Sequence, residues 1–127
     1  MNHQTILIVD DTPDHLDLLC RVLASAGYRV VTARPGEEAD RLARHERPDL
    51  ILAALSLPGQ PAWETAQRLS AELDQTPILG TTVYGTLLSA PRARAIGCVD
   101  YLEKPFSFDE LLYRVQSLLA GTSPAAA

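Results

Sequence analysis

Positive charge and long apolar runs are both scarce in this chain. Eleven Lys and Arg face sixteen Asp and Glu, for a net charge of -5. That balance argues against broad electrostatic binding to nucleic acid or to an anionic membrane surface, and neither is an expected partner. No apolar run approaches the ~20 residues that a membrane span needs. The amino end, "MNHQTILIVDD", has no cationic stretch ahead of an apolar core and no small-residue cleavage site. It does not resemble a secretory signal, so a cytoplasmic location is expected. Two cysteines, Cys20 and Cys98, make no metal or redox spacing. No Ser-His-Asp, Cys-His or zinc pattern is present. "GTTVYGTL" (Gly80 to Leu87) has Thr86 where a phosphate-binding loop requires lysine, which excludes that motif. No repeat or internal linker interrupts the 127 residues, and 46% hydrophobic with 21% charged residues describes one ordinary globular domain.

What is present is an alternation. The apolar runs "TILIVD", "YRVVTA", "DLILAAL", "PILGTT" and "CVDYLEK" are rich in Ile, Val and Leu and lack strict polar alternation. This suits strands covered on both faces of a parallel sheet. Between them run amphipathic stretches. Leu16, Leu19, Cys20 and Leu23 form one buried stripe, and Leu111, Leu112, Val115, Leu118 and Leu119 form another. Thr12 is placed to cap the first helix with Pro13 at its first position, and Gly27 ends it. Ser107 to Glu110, "SFDE", has capping-box spacing. Five β-α alternations predict a three-layer, doubly wound, five-stranded parallel sheet with right-handed crossovers.

Sites in such sheets lie beyond the carboxyl ends of the strands. There the chain places Asp10 and Asp11 after the first strand, Ala54 after the third, Thr82 after the fourth, and Lys104 followed by Pro105 after the fifth. Two acids, a hydroxyl and a lysine on one rim form a polar constellation that packing alone does not require.

In order and spacing, "ILIVDD", "PDLIL", "LSLPG", "TPILGTT" and "GCVDYLEKPF" resemble the receiver domain of two-component response regulators. The resemblance covers Ile6 to Leu119 and implies a flavodoxin-like α/β fold with strand order 2-1-3-4-5. Residues 1–120 would be the receiver domain, and 121–127 a flexible tail or linker stub. In that family an aspartate at the end of the third strand takes a phosphoryl group from a kinase histidine. Mg²⁺ held by the acid pair neutralises the transferring oxygens. By position, the resemblance makes Asp10 and Asp11 the metal ligands, Thr82 and Lys104 the phosphoryl-pocket residues, Tyr101 the switch aromatic and Pro105 a structural member of the pocket.

The acceptor aspartate falls six residues after the proline of "PDLIL", and here that residue is Ala54. A methyl group offers neither a nucleophile nor an oxygen for a metal. Asp49, five residues earlier on the same strand, lies ~16 Å from the rim at ~3.3 Å per residue. With two carboxylates left and Lys104 expected to pair with one of them, Mg²⁺ binding is expected to be weak, with no tightly bound cofactor. The expected function is that of a pseudo-receiver, not an enzyme, which signals through protein contacts without phosphorylation. Histidine kinases or other signalling proteins are its expected partners, through the face of the fourth helix, fifth strand and fifth helix, and it would be a monomer or weak homodimer. The alternative is an ordinary phosphorylatable receiver whose acceptor aspartate has been changed to alanine by engineering. A cofactor-binding enzyme on the same fold is disfavoured by the missing Gly-rich loop.

Other departures fall nearby. Pro91 implies a late, short fourth helix capped by Ser89 or Ala90, with Gly97 beyond its end and a longer loop carrying Val83, Tyr84 and Gly85. Ala62 stands where the family commonly has glycine, with Pro61 before it. His3 and His45 sit in the amino tail and at a helix end, and His15, in the first helical turn near the rim, is expected to face solvent. Cys20, Cys98 and Trp63 read as packing residues.

Overall fold

The computed structural model describes residues 4–55, 59–73, 75–82 and 94–121. Five parallel strands, β1 (Thr5–Val9), β2 (Arg29–Ala33), β3 (Leu50–Ala54), β4 (Ile78–Thr82) and β5 (Asp100–Glu103), form one sheet in the order 2-1-3-4-5. Helices α1 (Pro13–Ser25), α2 (Glu37–Glu46) and α3 (Pro61–Glu72) and a C-terminal helix (Phe108–Leu119) cover it. This is the expected flavodoxin-like receiver fold. The start of the expected fourth helix, with Ser89, Ala90 and Pro91, and the loop of Val83, Tyr84 and Gly85 lie outside the described residues; Arg94 and Ala95 are helical and Gly97 follows them.

The period of two along each strand divides the core into two layers. Leu7, Val9, Ile51, Ala53 and Ile78 pack with Ala39, Ala43, Trp63, Ala66 and Leu69 on the α2 and α3 side. Ile6, Ile8, Leu50, Leu52, Leu79 and Leu102 pack with Leu19, Leu23, Leu111, Val115 and Leu118 on the other. Because both faces of every central strand are covered, the strands read as continuous apolar runs. Trp63 and Cys98 are buried in the first layer, as expected of packing residues, and Cys20 lies half-buried against the second.

The ends of the elements follow local chemistry. Gly27, at φ +98, turns the chain out of α1, a conformation most residues adopt only with strain. Ser107 caps the C-terminal helix by accepting from the Glu110 N–H at 3.0 Å. Thr12 occupies the N-cap of α1, but its hydroxyl makes no capping bond. The start is held differently: the Asp10 carboxylate accepts from the Thr12 N–H at 2.9 Å, and Pro13 at the first helical position brings no donor. Before β5, Gly97 (φ +97) lets the chain pass so close to α3 that an added Cβ would lie 1.7 Å from Ser70 Oγ.

Candidate functional site

Strand register decides what meets at the carboxyl rim. Ala54 pairs with Thr81 of β4, and Thr82 pairs with Glu103 of β5. The Lys104 N–H donates to the Thr82 carbonyl at 2.6 Å, so the end of β5 is tied to the end of β4. Counting by twos from Ile8, Leu52 and Leu102, residues of one core layer, reaches Asp10, Ala54 and Lys104. The same alternation that builds the core brings these three to one side of the rim. Thr81 and Thr82 are both buried at the end of β4.

Asp10 is the buried centre of the site, only 3% exposed. Its Oδ1 accepts from the Thr12 N–H. Its Oδ2 faces His15 Nδ1 at 3.0 Å and Lys104 Nζ at 3.8 Å, and Lys104 Nζ lies 3.2 Å from the same His15 nitrogen. Lys104 Nζ and Asp10 Oδ2 compete for His15 Nδ1, which donates to the carboxylate in one tautomer and accepts from the ammonium in the other. The expected Lys104 pairing is therefore present, and Asp10 is its partner. Asp11 is exposed and joins no described pair.

His15 is the residue that sequence reasoning misplaced: it is half-buried and turned into the rim, not toward solvent. It stands three residues after the N-cap Thr12, the position from which a side chain reaches back over the start of its own helix. That geometry was the available signal. The ring also meets Phe106 edge-on, with centroids 6.4 Å apart. His15, Leu18, Lys104, Pro105, Phe106 and Phe108 line a groove of about 440 Å³ beside the site, and the Lys104–Pro105 peptide is cis.

Ala54 ends β3 half-buried, and no carboxylate of β3 stands near it. Asp49 is at the opposite end of that strand, where its Oδ2 accepts from the Thr5 N–H at 2.7 Å. Tyr101 is half-buried against the α2 and α3 layer. Its carbonyl accepts from Arg114 Nη1 at 3.1 Å, and the same nitrogen lies 2.7 Å from Asp100 Oδ1. Burial pushes the Cys98 thiol up to about 12.

The donor set fits a divalent cation poorly. Both oxygens of Asp10 are engaged, Ala54 supplies none, and no group of three or more His, Cys, Asp or Glu among the described residues could hold a metal ion. Mg²⁺ demands several oxygens in near-octahedral geometry, and imidazole and ammonium at the same carboxylate oppose it.

Comparison with known proteins bears on most of the chain. Residues 6–116 match the model of the response regulator receiver domain. The response regulator MprA of Mycobacterium sp. (strain KMS) is 36% identical over 119 residues, which are 94% of this chain and 52% of that protein. The chain spans about half the length of the curated relatives it matches. Among solved structures, a putative response regulator from Chloroflexus aurantiacus J-10-fl is 36% identical with a TM-score of 0.83, covering 94% of this chain and 99% of that one. A CheY-like receiver domain protein from Methanospirillum hungatei JF-1 has a TM-score of 0.85 at 25% identity, covering 94% and 96%. No described helix is long and apolar enough to cross a membrane.

Proposed function

The chain belongs to the response regulator receiver domain family, and from that premise we propose that it is an atypical receiver, a cytoplasmic protein-interaction module that works without an aspartyl phosphate. The observation that carries this reading is Ala54 at the end of β3, on the same side of the rim as Asp10 and Lys104. A phosphoryl acceptor there needs a carboxylate oxygen to attack phosphorus, and a methyl group has none. Asp10 is a poor substitute, since its oxygens are committed to Thr12, His15 and Lys104.

The remaining pocket keeps a structural role in this reading. Asp10 joins the start of α1 to the segment after β5, so the rim is held in one arrangement without ligand. Signalling then depends on which proteins bind, with the β5 and C-terminal helix face, including Tyr101, Arg114 and the exposed Tyr113, as the contact surface. Mg²⁺ binds weakly at Asp10 and Asp11.

Acetyl phosphate with Mg²⁺, followed by intact mass, tests the reading on this chain and on Ala54→Asp. The unaltered chain is expected to gain no phosphoryl group at any magnesium concentration, and Ala54→Asp to gain one as magnesium is raised. A phosphoryl group on the unaltered chain would overturn the proposal.

A further inference from the structure

We infer that His15 is a positioning residue that takes the place of a divalent cation at Asp10, so that Mg²⁺ binding stays weakened even when a carboxylate is restored at position 54. The inference rests on the reading of Ala54 as the acceptor position and adds a second, independent closure beside it.

Three observations converge. First, the Asp10 oxygen that faces the site, Oδ2, is the one that meets His15 Nδ1 at 3.0 Å, while Oδ1 is turned to the Thr12 N–H. A cation bound by this acid must displace the imidazole, because Mg²⁺ requires its oxygen at ~2.0–2.1 Å with other ligands close around it. Second, the imidazole is held in place. It is set at the third helical position by Pro13, whose fixed φ favours the helix start, and its ring is braced edge-on by Phe106. Third, Lys104 approaches the same pair, at 3.2 Å from His15 Nδ1 and 3.8 Å from Asp10 Oδ2. The carboxylate thus has an imidazole nitrogen and an ammonium against it where a metal would otherwise sit.

The consequence is that two residues, not one, separate this rim from a cation-binding one. Removing the imidazole should release Oδ2, and the aspartate at position 54 should add an oxygen. Each should strengthen Mg²⁺ binding separately.

Isothermal calorimetric titration with magnesium chloride tests this on the full chain and on His15→Ala, Ala54→Asp and the double variant, each checked for folding by thermal melting. The expected result is that the double variant binds Mg²⁺ about tenfold more tightly than Ala54→Asp alone, the worth of one hydrogen bond to a charged group. His15→Leu in the Ala54→Asp background keeps bulk against Phe106 without a donor, and it should match alanine. Equal affinity of Ala54→Asp and the double variant overturns the role of His15, and so does a leucine variant that stays as weak as the histidine parent. A His15→Ala chain that binds as tightly as the double variant would instead overturn the reading of Ala54, leaving the role of His15 supported.

Discussion

β1 and β3 lie side by side, and each borders an aspartate, but at opposite ends of the sheet. Asp49 precedes β3 and sits in solvent, where its carboxylate accepts from the Thr5 N–H at 2.7 Å and its own N–H donates to the Thr5 carbonyl. It closes the ladder where the two strands begin. Asp10 follows β1 and is buried, and its carboxylate gathers a backbone N–H and an imidazole from the start of α1 and an ammonium from the residue after β5. The same side chain is a local strand clasp at one end and a long-range hub at the other. The difference lies in what each end faces. Helices begin at the carboxyl rim and bring donors with them, whereas the amino ends of the strands meet only the loops that feed them.

The stability cost of removing each acid should separate the hub from the clasp. Asp10→Ala is expected to lower unfolding free energy by about 2–3 kcal/mol, since it leaves a half-buried imidazole, an ammonium and a backbone donor without their carboxylate. Asp49→Ala should cost about 1 kcal/mol, because water can replace an exposed carboxylate at Thr5. Urea unfolding of the two variants decides it. Equal losses would mean that Asp10 is also no more than a local clasp.

A smaller effect concerns the two thiols, one in each core layer. Cys98 is buried in the α2 and α3 layer together with Leu55, the residue after Ala54, and its thiol is pushed up to about 12 by burial. Iodoacetamide at pH 8 should therefore leave Cys98 unmodified in the folded chain. The half-buried Cys20, raised first by burial and then by Asp17, should react slowly. The folded thiol titrates above its ordinary value of 9.0, so its contribution to stability is intact below pH 9 and is lost as pH rises toward 12. Rapid alkylation of Cys98 at pH 8 would show that the end of β3 opens, contrary to a rim locked at Asp10.

Much of this architecture was legible in the sequence. The five apolar runs lack polar alternation because both strand faces are covered, and that feature fixed the sheet type. The convergence of Asp10 and Lys104 followed from placing residues at strand ends, where side-chain parity does the sorting. His15 was illegible by periodicity, since a helix wheel shows which face a residue occupies and not that an early-turn side chain can reach back beyond the cap. The absence of a Thr12 capping bond has a different origin: the Asp10 carboxylate two residues earlier already accepts from the Thr12 N–H and organises the start of α1. The cis Lys104–Pro105 peptide, beside the groove floor, likewise carries no sequence mark beyond the proline itself.

The most direct test of the central claim is the amide nitrogen–proton NMR spectrum of the unaltered chain in Mg²⁺, recorded before and after addition of beryllofluoride. A rim that has no acceptor and is neutralised by its own His15 and Lys104 predicts no change in the resonances of Asp10, His15, Thr82, Tyr101 and Lys104. Saturable shifts concentrated at those residues would contradict the account, because they would show that the rim still takes a phosphoryl mimic without an aspartate at position 54.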